Sequence, residues 1–183
     1  MFIQNEQTPN PSTLKFLPGR VVMEKGTMDF ADVDAAQSSP LAKRLFAVEG
    51  VERVFLGADF VTVTKAAPKD WQMLKPAILG GIMEHYTSGE PVIAGEASAS
   101  EGAADEDDEI VAQIKDLLET RVRPAVAQDG GDIVFQDFRD GVVYLHMHGS
   151  CSGCPSSTAT LKMGIENLLK HYVPEVVEVQ AAQ

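Results

Sequence analysis

Hydrophobic and polar positions change period several times along this chain, and the changes mark out its elements. Residues 2–6 and 13–17 read as short strands on either side of Gln7-Thr8-Pro9-Asn10-Pro11-Ser12, a connection rich in turn formers, and Pro18-Gly19 closes the second. A third extended piece falls at 21–23. Ser39-Pro40-Leu41 opens a helix with a serine cap and proline in its first turn; Leu41, Leu45 and Phe46 face inward, and Gly50 is placed to end it. Residues 51–56 and 60–64 flank Gly57-Ala58-Asp59 as a hairpin. Asp70 caps a second helix running to about His85, with Trp71, Leu74, Ile78, Ile82 and Met83 toward the core; Pro76 argues against an unbroken helix.

Both periods vanish over residues 89–108. Three glycines, five alanines, two serines and seven acids bury too little surface to fold, so this stretch reads as a flexible acidic linker. Periodicity then resumes. Ile110, Ile114, Leu117, Leu118 and Val122 form a helical stripe that Pro124 should kink or divide. Asp129-Gly130-Gly131-Asp132 is a turn. Residues 133–138 and 142–148 make a hairpin around Arg139-Asp140-Gly141. Thr158, Leu161, Ile165, Leu168 and Tyr172 form a last helical face, and 176–180 a terminal strand. The predicted fold class is α+β: two small α+β domains, 1–88 and 109–183, joined by the linker 89–108. The second has the order α-β-β-α-β, a small sheet with its helices on one face.

Charge sharpens the division. Residues 1–88 carry 9 basic and 10 acidic side chains (net −1), residues 89–108 carry 0 and 7 (net −7), and residues 109–183 carry 6 and 10 (net −4). No segment shows the basic patch that nucleic-acid binding requires. No apolar run approaches the ~20 residues of a membrane span. The opening residues form neither a secretory signal nor an Arg- and Ser-rich transit peptide.

The chemistry concentrates in His146-Met147-His148-Gly149-Ser150-Cys151-Ser152-Gly153-Cys154-Pro155, which holds the only two cysteines of the 183 residues. Val143, Leu145 and Met147 alternate with Tyr144, His146 and His148 as a half-buried strand, and Pro155 suits a helix's first position. Cys154 therefore belongs at or beside a helix N-terminus, where the dipole favours the thiolate. Surrounding glycines and serines predict that both thiols are exposed. In a reducing compartment such a pair is metal-binding or redox-active.

Two alternatives stay open on the residues alone. A thioredoxin-like dithiol–disulfide oxidoreductase also places its pair between strand and helix, but only 29 residues follow Cys154 and no aromatic precedes Cys151. A zinc-binding module would add His146 and His148, but His148 lies three residues from Cys151, which leaves little freedom for tetrahedral closure.

Further residues carry a resemblance. Asp129-Gly130-Gly131-Asp132, Gly141-Val142-Val143-Tyr144-Leu145, Cys151-Ser152-Gly153-Cys154-Pro155-Ser156-Ser157-Thr158 and Leu161-Lys162-Met163-Gly164-Ile165-Glu166 resemble the NifU C-terminal-type domain of Nfu iron–sulfur carriers. Residues 4–19, with Gln7-Thr8-Pro9-Asn10-Pro11 and Leu14-Lys15-Phe16, are similar to the amino-terminal domain of Nfu proteins. The resemblance implies a non-enzymatic scaffold or carrier that holds a 4Fe-4S cluster between two protomers and delivers it to apo-proteins. Its implied metal ligands are Cys151 and Cys154. Its implied partners are a second copy when loaded, apo iron–sulfur proteins as recipients and upstream assembly proteins as donors. Stoichiometry agrees with sharing, because a cubane cluster usually takes four cysteines and each chain has two. Eukaryotic members carry a leader, which the start of this chain lacks, so a bacterial cytoplasm is the expected location.

Remaining conspicuous residues have plain roles. His146 and His148 read as a solvent-facing strand pair, His85 and His171 as surface or dipole-complementing residues near helix ends, and Trp71 and the methionines as core filling. The first domain, without cysteine and with one histidine, reads as a partner-recognition or regulatory module.

Overall fold

The computed structural model describes residues 1–94, 109–152 and 155–182, with the side chains of 155–158 left aside. The chain divides into two compact units, Met1–Ala99 and Ser100–Gln183. Each contains its own sheet and helices, so the fold is α+β as expected. Among the described residues no helix is long and apolar enough to cross a membrane.

In the first unit the strands β1 (Gln4–Gln7), β2 (Thr13–Leu17), β3 (Met28–Phe30), β4 (Val51–Leu56) and β5 (Val61–Lys65) form one antiparallel sheet in the order β1-β2-β5-β4-β3. Register explains which face is buried. Phe16 pairs with Val61 and Val61 with Leu56; Leu14 pairs with Val63 and Val63 with Val54. These six apolar side chains share one face and a single core with Leu41 and Leu45 of α1 (Pro40–Phe46) and Leu74, Ile78 and Ile82 of α2 (Trp71–Ser88). Ser39 caps α1 by accepting from the Ala42 N–H at 3.1 Å, and Asp70 caps α2 through the Gln72 N–H.

Four expectations for this unit need correction. The segment 21–23 is not a strand: the Val22 and Met23 N–H groups both donate to the Ala58 carbonyl, and the edge strand is β3, clasped to β4 by Arg53 and Asp29. Pro76 does not divide α2: it forfeits one interior hydrogen bond, but Leu74, Ile78 and Ile82 fix the helix on the core on both sides of it, and that packing outweighs the loss. His85 is not a surface residue; α2 runs on to Ser88, and His85 completes its buried stripe with no exposure at all. The methionines are not all core: Met73 is 80% exposed and Met83 also faces solvent, as does Met163 of the second unit.

Residues 90–94 are fastened to the first unit. The Ser39 hydroxyl donates to the Val92 carbonyl at 2.6 Å, the Ala94 N–H donates to Ser38 at 2.7 Å, and Arg44 bridges Glu84 and Glu90. Residues 95–108, the rest of the stretch read as linker, lie outside the described residues.

In the second unit α3 (Glu109–Leu117) widens into a π turn over Leu118–Val122 before α4 (Arg123–Gln128). Pro124 is the cause: it has no N–H for the carbonyl four residues back, so the helix reorganises just ahead of it. The strands β6 (Gly131–Arg139) and β7 (Val142–Gly149) form an antiparallel hairpin, and β8 (Glu178–Ala181) lies parallel to β7 after the crossover helix α5 (Pro155–Tyr172). The core joins Ile114, Leu118 and Val126 to Ile133, Val143, Leu145 and Met147, and to Ile165, Leu169 and Val173. The buried stripe of α5 is thus 165 and 169, continued by Val173 just past its end; Leu168 is only partly buried, and Tyr172 stands 46% exposed rather than lining the core.

Candidate functional site

The site begins with the parity of β7. Val143, Leu145 and Met147 point inward, Gly149 ends the strand on the same parity, and just beyond it Ser150 and Cys151 are both buried. Gly149 adopts φ +64°, which turns the chain; the Ser152 N–H then donates back to the Gly149 carbonyl at 3.1 Å. Cys151 is 6% exposed and belongs to the core of the unit. The expectation of an exposed thiol is therefore corrected for Cys151. Cys154 lies outside the described residues, so the structure does not test the pairing of the two sulfurs.

What holds Cys151 is the 129–132 segment, whose role exceeds that of a turn. The Ser150 hydroxyl donates to the Asp129 carbonyl and the Ser150 N–H to the Gly130 carbonyl. Gly131 faces Gly149 across the β6–β7 ladder, and the Cys151 sulfur sits over its Cα. Asp132, 3% exposed, accepts from Arg123 Nε and Nη2 at 2.9 Å each and from the Ile133 N–H at 2.8 Å. This bidentate pair ties the start of β6 to α4, and the carboxylate raises the Arg123 guanidinium above its ordinary value. Sequence reasoning placed Asp132 in a turn but missed Arg123 and the pairing of the two. A charged residue between two glycines and an apolar strand was the available signal, since such a residue must bury with a partner.

His146 and His148 lie side by side on the opposite face of β7, ring centroids 4.5 Å apart and half-buried. Among the described residues no group of three or more His, Cys, Asp or Glu side chains could hold a metal ion. The arrangement that remains is a buried thiol at the end of a strand, in a turn stitched at two points to a second loop and followed by an 18-residue helix.

Comparison with known proteins adds the following. Residues 3–89 match the family model described as "Scaffold protein Nfu/NifU N terminal", and residues 114–180 match the "NifU-like domain". A Homo sapiens protein named "NFU1 iron-sulfur cluster scaffold homolog, mitochondrial" is 52% identical over 98% of this chain and 71% of its own length. The Arabidopsis thaliana "NifU-like protein 4, mitochondrial" is 55% identical over 98% of this chain and 65% of its own, so the chain spans about two thirds of that relative. A solution structure of a NifU-like protein from Saccharomyces cerevisiae has TM-score 0.48 and 28% identity, covering 52% of this chain and 87% of that one. The expected bacterial cytoplasm is corrected here, because the relatives at this level of identity are named as mitochondrial proteins.

Proposed function

Because the chain belongs to the Nfu and NifU-like family of scaffold proteins, we propose that it binds an iron–sulfur cluster and passes it to apo-proteins. The naming of its relatives as scaffold proteins supports a carrier role rather than a catalytic one. The cluster is cargo, a 4Fe-4S unit held by Cys151 and Cys154 of two chains. The observation that carries this reading is the placement of Cys151 at the end of β7, inside the NifU-like domain and just ahead of α5, with the second thiol of the chain three positions on. Two thiols per chain leave a cubane cluster two ligands short, and a twofold axis beside the loop supplies them without any new residue type. Such a cluster sits at a small interface rather than deep in a core, which suits release. The first unit, matched as an Nfu-type amino-terminal domain, serves as a recognition or regulatory module.

Anaerobic reconstitution with iron and sulfide assay and Mössbauer spectra tests the ligand set. Cys151→Ala and Cys154→Ala should each abolish a stable cubane signal. Cys151→Ala trims one buried atom and costs the fold about 1 kcal/mol, too little to unfold the unit. A full cubane cluster on either single variant refutes the assignment.

A further inference from the structure

A thiol that is to bind a cluster is, in this structure, 6% exposed and packed into a core. Its seat is made by an absent side chain. A Cβ on Gly131 would stand 2.5 Å from Cys151 Sγ, 3.0 Å from the His148 carbonyl oxygen and 3.2 Å from the Cys151 nitrogen, all inside ordinary contact distance. Gly131 lies in β6 and is not among the left-handed glycines of the described residues, so backbone conformation does not demand glycine there. The sulfur does. We propose that Gly131 is a positioning residue: it opens a notch in which the Cys151 thiol is stowed while the chain is empty, and loading requires the 149–152 turn to lift that thiol out. The proposal rests on Cys151 being a cluster ligand.

The restraints on the turn set how often it lifts. Ser150 is 2% exposed and tethered twice, by its hydroxyl to Asp129 and by its N–H to Gly130; Ser152 is tethered to Gly149. Gly149, at φ +64°, is the pivot. Stowage shields the thiol from oxidants until iron and sulfide arrive. It also makes loading a local opening, whose equilibrium scales the rate of any reagent that needs the sulfur.

The test uses the full chain with Cys154→Ser, so that Cys151 is the only thiol, reduced and anaerobic, with pulses of iodoacetamide read by mass spectrometry. Native Cys151 should alkylate at least about tenfold more slowly than the same chain in urea. Adding Gly131→Ala should bring the native rate to within about threefold of the urea rate, because sulfur and methyl cannot share the notch. Gly141→Ala controls for simple loss of stability: it strains a turn at φ +78° and crowds Val177 at the other end of the hairpin, and should leave the rate slow. Should Gly131→Ala not fold, Ser150→Ala decides, since it removes one tether and no packing; a severalfold faster rate supports stowage and an unchanged rate overturns it. A native rate equal to the urea rate, or Gly131→Ala no faster than Gly141→Ala, also overturns it. None of these arms involves a cluster. A cubane cluster on Cys151→Ala would sink the ligand reading instead, with the labelling result standing.

Discussion

Asp132→Asn removes one charge from the base of the site and changes its shape hardly at all. The wild-type carboxylate, 4% exposed at the side chain, receives two guanidinium hydrogen bonds from Arg123, whose own side chain is 33% exposed. Asparagine keeps one acceptor for Nε and for the Ile133 N–H but presents an NH₂ to Nη2, so donor meets donor and the cation loses its counter-charge. Breaking a fully buried pair costs about 3–5 kcal/mol; partial solvation of Arg123 reduces this to about 2–3 kcal/mol. With an m-value of roughly 1 kcal/mol/M for a unit of this size, the urea midpoint of the second unit should fall by about 2 M. The assay exploits the aromatic content: the single tryptophan, Trp71, lies in the first unit, so its fluorescence follows that unit while far-UV circular dichroism follows both. Asp132→Asn should move the dichroism component that tryptophan does not report and leave the tryptophan transition in place. A midpoint shift below a few tenths molar would refute the reasoning.

His85 and residues 95–108 supply two more predictions. His85 is the one histidine of the first unit; neither ring nitrogen has a hydrogen-bond partner among the described residues, and burial, reinforced by the Arg44 charge, lowers its pKa from the ordinary histidine value. A depressed folded pKa means that the unfolded chain takes up the proton first, so stability is full above about pH 6.5 and is lost as pH falls through the folded pKa. The tryptophan urea midpoint should drop between pH 7.5 and 5.5, and His85→Leu should flatten the drop; equal drops in both chains would contradict it. Limited proteolysis should cut first within 95–108, whose composition offers no core, and release two fragments that stay folded. A fragment that unfolds on release would count against independent domains.

Much of the architecture was legible because apolar periods are long and regular. The hairpin at 51–65, the Ser39 and Asp70 caps and the β-β-α-β order of the second unit follow from alternation, caps and prolines. What failed did so for local reasons. His85 occupies a core position, 11 residues after Leu74 on the same stripe, but a polar side chain hid it and Met83 seemed the better candidate. In α5 the choice lay between 168 and 169, and between 172 and 173; only packing against β7 and β8 separates them. Cys151 looked exposed because glycines and serines surround it. The better guide was the strand and its turn: β7 faces inward at 143, 145, 147 and 149, and the turn at Gly149 then buries Ser150 and Cys151 together. The bond between Arg123 and Asp132 joins residues nine apart across a helix end and a turn, a distance no periodicity reaches.

The central claim is that cluster and dimer form together. Association should depend mainly on metal–thiolate bonds, since a cargo that binds only the pair stabilises the pair by mass action. Multi-angle light scattering and iron analysis on the same anaerobic sample measure both quantities at once. The account predicts a monomer without iron, a dimer with close to four irons per two chains when loaded (one 4Fe-4S cluster), and return to monomer on chelation. Four irons on a single chain, or an iron-free dimer as tight as the loaded one, would contradict it.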